Sequence, residues 1–130
     1  MTDFSTRALP EAPDVLAPDG SEVRILAGLG AGSMAHFRLV AGVVTKAVSH
    51  RTVEELWFVV AGCGEIWRRQ GARQEIVALI PGQSLTIPLG TAFQFRALGD
   101  QTLDIVGVTL PPWLGPEEAI MVDGPWTPTV

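Results

Sequence analysis

The chain has 130 residues, enough for one hydrophobic core and too few for two independent domains. Fourteen acidic against nine basic residues give a net charge of −5, which disfavours nucleic acid as a partner, and no apolar run is long enough to span a membrane. Hydrophobic residues make up 47%, which excludes a disordered chain, while 14 Gly and 10 Pro favour short strands and turns. The single Cys63 permits no internal disulfide bond, and we expect a cytoplasmic protein.

In chain order, we first predict an extended N-terminal arm over residues 1–22, because its three prolines remove backbone donors and disfavour a helix. Residues 23–110 carry short apolar segments separated by Gly, Pro or Asp, and several alternate with polar residues as half-buried strands do. The predicted strands are 23–27, 34–40, 43–50, 55–61, 64–69, 74–80, 84–88, 92–98 and 103–108. Regular short strands at this spacing indicate an all-β sandwich or barrel.

Residues 111–130 are rich in proline but retain Trp113 and Trp126. Large aromatic side chains are rarely left in free tails, so we expect this C-terminal tail to pack on the barrel or on a partner subunit. Three arginines, at 68, 69 and 73, crowd one predicted hairpin and are interpreted as a solvated strand end. Gln94 and Arg96 alternate with phenylalanines and are expected to face outward.

Two spaced motifs carry the main functional signal. The first contains Gly42, Val48, His50, Glu55 and Gly62. The second contains Gly82, Pro88 and Gly90, followed by Phe93 and Ala97. Together they resemble the two motifs of the cupin family, in which a His-x-His pair and a Glu precede the first closing Gly, and a His and an Asn follow Pro-x-Gly. The resemblance implies a double-stranded β-helix, a jelly-roll-like barrel, with extended N- and C-terminal arms.

The departures from the family pattern bear on metal binding. Cupin metal sites commonly use three His and one Glu, whereas Val48 and Phe93 stand at two of the His positions here. Because the chain has only two histidines, a three-His site is impossible, and we expect no metal cofactor. The alternative is a two-His-one-carboxylate triad of His36, His50 and Glu55 binding Fe, Mn, Ni or Zn. That triad requires His36 to point inward, which would turn Arg38 inward as well.

The resemblance also implies which side chains face the barrel interior. Val48, Trp57, Phe93 and Phe95 would form an apolar wall, with His50 and Glu55 as a titratable pair suited to proton transfer. We therefore predict catalytic roles for His50 and Glu55. The four wall residues, with His36 and Arg38, are the predicted ligand-binding set.

Three functions remain open at this stage. The first is a barrel that binds an apolar or aromatic small molecule, either as a metal-independent acid/base enzyme of isomerase, cyclase or lyase type or as a binding protein. The second is a metal-dependent oxygenase or isomerase using His36, His50 and Glu55. The third is a non-catalytic sensory cupin, because one fold hosts many activities. Exposed strand edges and the two arms also lead us to expect a homodimer.

Overall fold

The computed structural model describes all 130 residues and contains eleven β-strands and one short 3-10 turn, Pro116–Glu118. The strands are β1 Val15–Leu16, β2 Glu22–Leu29, β3 Gly32–Leu39, β4 Val48–His50, β5 Glu54–Ala61, β6 Cys63–Gln70, β7 Arg73–Leu79, β8 Ser84–Ile87, β9 Ala92–Leu98, β10 Leu103–Leu110 and β11 Ala119–Met121. The expectation of an all-β chain is therefore confirmed. No helix of the structure has the length and hydropathy needed to cross a membrane.

The strands form two antiparallel sheets that enclose one core. The first sheet has six strands in the order β1-β2-β3-β10-β5-β8, and the second has five in the order β11-β4-β9-β6-β7. Alternation along the strands decides which side chains enter the core, as in β10, where Leu103 and Ile105 are fully buried and their neighbours are half-buried. The core cluster contains thirteen buried hydrophobic residues drawn from both sheets.

The turn between β5 and β6 depends on a glycine of the first motif. Gly62 joins β5 to β6 with φ of 82°, a backbone conformation that residues with a side chain rarely adopt. A Cβ atom at Gly62 would also collide with the backbone of Thr102 and Leu103. The closing glycine of the first motif is therefore required by both backbone geometry and packing.

A second, smaller cluster lies on the outer face of the five-stranded sheet. It consists of Ala47, Trp67 and Ala92, and the side chains of Val122 and Trp126 from the C-terminal tail pack against it. Gln94 belongs to this outer face, as expected, but it is completely buried beneath the tail. Its amide donates to the carbonyls of Thr45 at 2.7 Å and Trp126 at 2.9 Å, and accepts from the backbone N–H of Trp126.

Each of the nine predicted strands has a counterpart in the structure. One of them is shorter than predicted, and the structure contains two further strands. The predicted strand 43–50 is reduced to Val48–His50, because residues 45–47 run as irregular chain after an isolated bridge between Val44 and Arg96. The strands β1 and β11 lie in the two arms and were not predicted. Both are two or three residues long and form at sheet edges, where pairing depends on the neighbouring strand and not on local sequence preference.

Candidate functional site

A cavity of about 150 Å³ opens between the two sheets and is lined mainly by apolar side chains. Its walls include the four predicted residues Val48, Trp57, Phe93 and Phe95, together with Phe37 from β3. The Trp57 ring is central, with its centroid 5.0 Å from Phe95, 5.8 Å from Phe93 and 5.5 Å from Phe37. The contacts of Trp57 with Phe93 and Phe95 are edge-on, an arrangement that aromatic pairs prefer, while the contact with Phe37 is tilted.

The cavity also contains the predicted polar pair. His50 at the end of β4 and Glu55 near the start of β5 are brought together by the short connection between the strands, with His50 Nε2 3.1 Å from Glu55 Oε2. Only 12% of the His50 side chain and 4% of the Glu55 side chain are exposed. The two atoms form an ion-pair contact without the alignment of a good hydrogen bond, since Glu55 Oε2 has no hydrogen-bond partner. His50 Nδ1 and Trp57 Nε1 are likewise buried without partners.

The protonation of His50 depends on this pairing. Burial lowers the pKa of the imidazole, but the contact with Glu55 and its negative charge outweigh burial, with smaller contributions from Glu118 and Asp19. The pKa of His50 is therefore raised above its ordinary value. A histidine of this kind keeps its proton at neutral pH more readily than a free histidine, and both its ring nitrogens are then donors.

Asp19 is a cavity residue that the sequence did not indicate. It lies in the N-terminal arm, lines the same cavity and is buried. Burial raises the pKa of the Asp19 carboxyl, although hydrogen bonds from the backbone and hydroxyl of Ser21 oppose this, and the charge of Glu55 adds to the increase. In the sequence, Asp19-Gly20-Ser21 has the composition of an ordinary turn, and only the folding of the arm against the barrel brings the carboxyl to the site.

Glu118 is a second residue that sequence reasoning missed. It is buried in the C-terminal tail, and its carboxylate accepts hydrogen bonds from the backbone N–H groups of Thr52 and Val53 and from the Thr52 hydroxyl. Burial opposes ionisation, but these donors and the charge of His50 outweigh it and lower the pKa of Glu118. Glu118 thus anchors the tail to the β4–β5 connection, directly beside the His50–Glu55 pair.

His36 and Arg38, which were included in the predicted ligand-binding set, do not line the cavity. On β3 the side chains of Phe37 and Leu39 pack into the core, so His36 and Arg38, which alternate with them, point to the opposite face of the sheet. There His36 Nε2 and Arg38 Nε contact the same Asp104 oxygen, at 3.1 Å and 2.9 Å. Burial and the nearby Arg38 and Arg24 outweigh Asp104 and lower the pKa of His36. Neither residue is a wall of the cavity, and His36 does not join His50 and Glu55 in a triad.

Comparison with known proteins shows similarity at the level of structure alone. No protein-family model matches the sequence, and no curated protein matches it. KdgF from Halomonas sp. aligns with a TM-score of 0.62 and 22% identity, over 71% of this chain and 79% of that chain. A protein with a double-stranded β-helix domain from Klebsiella pneumoniae gives 0.65 and 14%, over 95% and 99% of the two chains. Oxalate decarboxylase from Bacillus subtilis gives 0.70 and 14%, over 90% of this chain but 30% of that chain.

These neighbours are cupin-type proteins, and their folds extend over most of this chain. The chain has the cupin fold. The fold implied by the two glycine-bearing motifs, a double-stranded β-helix or jelly-roll-like barrel, is therefore confirmed.

The chain does not provide the ligand set that a metal ion needs at the position implied by the two motifs. Of the four motif positions, two hold Val48 and Phe93, whose side chains have no donor atoms, and the other two hold His50 and Glu55, which contact each other. No group of three His, Cys, Asp or Glu side chains in the structure has the geometry to hold a metal ion. Catalytic metal sites normally use at least three protein ligands, so the residues present do not fit a resident metal.

Proposed function

We propose that this cupin binds a small apolar or aromatic molecule in its barrel and that His50 and Glu55 exchange a proton with it. The single observation that carries the proposal is a closely coupled His–Glu pair, largely buried, in a cavity whose other walls are mostly apolar. Pockets of this composition, with few polar groups converging in an apolar surround, are typical of small-molecule sites. The proposal includes a cytoplasmic location, which fractionation of the source cells would test.

The size of the cavity supports a ligand of about one aromatic ring. An apolar protein cavity of about 150 Å³ is large enough to bind benzene, and the cavity here has a similar volume. Phe93 and Phe95 line the cavity with aromatic rings, and Trp57, whose Nε1 has no hydrogen-bond partner, lies beside them. A ring that carries one oxygen substituent therefore suits the cavity better than a sugar or a nucleotide.

The polar pair supports proton transfer without metal. Because the pKa of His50 is raised, the imidazolium is available as a proton donor near neutral pH, and it becomes an acceptor once the proton is lost. Glu55 stabilises the charged form of the ring and orients it. Proton transfer by a positioned side chain typically contributes about 10²–10⁴-fold in rate. Movement of a proton between carbon and oxygen, as in an isomerase, cyclase or lyase, is the reaction type that this pair supports.

Acetophenone is a suitable probe, since it is a single ring with an enolisable carbonyl group. We expect it to bind in the barrel, as measured by ligand-observed NMR, and to incorporate deuterium from D₂O at its methyl carbon faster than in buffer. His50→Ala and Glu55→Gln should abolish the accelerated exchange. His36→Ala is the matched control, because this second histidine lies on the outer face, and exchange should be unchanged.

The outcomes separate the functions that remain. Deuterium exchange that is lost in His50→Ala and in Glu55→Gln but kept in His36→Ala supports the acid/base enzyme. Saturable binding without exchange, weakened in the pair variants, would replace the enzyme by a non-catalytic binding or sensory cupin. If neither variant changes binding or exchange, His50 and Glu55 are not the polar groups of the site and the proposal fails.

A further inference from the structure

A second depression lies outside the barrel, at the far end of the β6–β7 hairpin. It also measures about 150 Å³, but apart from Pro88 its lining residues are all polar or charged. Its walls are Arg68, Arg69, Gln70, Arg73, Gln74, Glu75, Thr86, Pro88 and Thr91. Three of the nine basic residues of the chain thus converge on one small surface, which in the sequence had been interpreted as a solvated strand end.

The polar groups of this depression are held in place by contacts that leave donors free. Arg68 is fixed, because one terminal nitrogen donates to the Thr86 carbonyl at 2.8 Å and the other to Glu75 at 3.0 Å, while its Nε has no partner. The Gln74 side-chain oxygen accepts from the Trp67 indole at 2.9 Å, which leaves the Gln74 NH₂ group free to donate.

Thr91 adds a further donor to the lining of the depression. Its hydroxyl oxygen accepts from Gln70 at 3.1 Å, so the hydroxyl hydrogen is available, and the residue itself is buried. The unused groups of Arg68, Gln74 and Thr91 are therefore all donors. A ligand that satisfies them must carry several acceptor atoms.

The charges of the depression indicate an anion. Glu75 neutralises Arg68, but neither Arg69 nor Arg73 forms a salt bridge anywhere in the structure. The Arg69 guanidinium lies 5.3 Å from the Trp67 ring centroid, a contact that does not neutralise its charge. Two positive charges thus remain without a carboxylate partner in a protein whose net charge is −5. A phosphate group carries a charge of about −1.5 to −2 at neutral pH and presents three acceptor oxygens to arginine.

We propose that the β6–β7 hairpin binds the phosphate group of a small phosphorylated molecule, at a site separate from the barrel cavity. Arg69 and Arg73 supply the charge that attracts the anion. Gln74 and Thr91, which line the depression, carry free donors for its oxygens, and Arg68 is fixed beside them. The proposal does not depend on the function assigned to His50 and Glu55.

Titration of the isotopically labelled protein with inorganic phosphate, followed by amide NMR at constant ionic strength, tests the site. We expect saturable shifts confined to residues 68–75 and 86–91. The double variant Arg69→Gln/Arg73→Gln should weaken binding about tenfold or more, since each charge-assisted hydrogen bond contributes substantially. The matched control is Arg7→Gln/Lys46→Gln, which removes two exposed positive charges elsewhere and should bind phosphate as the parent does.

Three results would overturn the proposal. One is an equal weakening of phosphate binding in the control variant, which would mean that the protein attracts phosphate only through its overall charge. Another is the same set of shifts with acetate, which would remove the preference for a doubly charged oxyanion. The third is loss of phosphate binding in His50→Ala, which would place the anion in the barrel. Unchanged melting temperatures of both double variants would verify that their folds are intact.

Discussion

At the scale of single residues, the two histidines of this chain occupy opposite environments. His50 lies in the cavity beside the Glu55 carboxylate, while His36 lies on the outer face of the six-stranded sheet between two arginines and Asp104. The same residue type thus has a raised pKa in one position and a lowered pKa in the other. The difference arises because Glu55 outweighs burial for His50, whereas burial and the arginines outweigh Asp104 for His36.

This contrast predicts a two-signal NMR titration. We expect one imidazole, His50, to titrate above and the other, His36, below the ordinary histidine pKa. Because a raised pKa in the folded state means that protonation of His50 favours folding, its stabilising contribution is present at low pH and is lost as the pH rises through the folded value.

Glu55→Gln should lower the pKa of His50, since the largest favourable influence on its charge is removed while burial remains. The signal of His36 serves as the internal control and should not move. An unchanged His50 titration in this variant would contradict the coupling between the two side chains.

At the scale of elements, the two arms complete the cavity. The N-terminal arm contributes Asp19, and the C-terminal tail contributes Trp113 and Ala119 to its lining. The tail is held at several points, including Glu118 beneath the β4–β5 connection, the Trp126 backbone on Gln94, and the Trp126 ring 4.2 Å from the Arg96 guanidinium. The backbone of Thr129 also bonds to Val44. The tail is therefore part of the folded structure and of the site.

Removal of the tail after Leu110 should lower the free energy of unfolding by about 2 kcal/mol or more. The truncation exposes Trp67 and leaves the buried amide of Gln94 with fewer partners, and each effect costs about 1–3 kcal/mol. Urea denaturation measures the change. Leu114→Ala is the control within the same tail, since its side chain is 74% exposed and should have little effect. A truncated chain as stable as the parent would show that the tail is dispensable.

At the scale of the whole molecule, the outer face of the six-stranded sheet carries an apolar patch. The β5 side chains Leu56, Phe58 and Val60 are each 49% exposed. Leu56 and Phe58 lie opposite Val108 and Val106 of β10, which point the same way. Monomeric proteins rarely expose contiguous apolar patches larger than a few hundred Å². We propose that this face is the contact surface between two copies of the chain.

A dimer predicts sedimentation at about twice the 13.9 kDa chain mass at micromolar concentration. Phe58→Glu should give a folded monomer, because a charge at the centre of the apolar face would be buried without a partner. Ile76→Glu is a matched control, since Ile76 is also 49% exposed but lies on β7 of the other sheet. A parent protein that sediments as a monomer would refute the interface.

Much of the barrel and part of the site follow from the sequence, because they depend on short-range regularities. Alternation of apolar and polar residues determines which face of each strand is buried, and the glycines at 42, 62, 82 and 90 mark the turns between strands. Only four residues separate His50 from Glu55 in the chain. The two side chains therefore stay close although β4 and β5 belong to different sheets. The aromatic wall follows from alternation, since Phe93 and Phe95 are two residues apart and share one face of β9.

The remaining features were decided by contacts between distant parts of the chain. Alternation allowed either face of β3 to turn inward, and the packing of Phe37 against Trp57 placed His36 outside. Asp19 and Glu118 lie in irregular arms with no periodic pattern, and they join the site only because the arms pack against the barrel. Gln94 is buried because the tail covers it, and not because of its own strand. Local periodicity sets the orientation of a side chain within an element, whereas what covers that side chain depends on the tertiary structure.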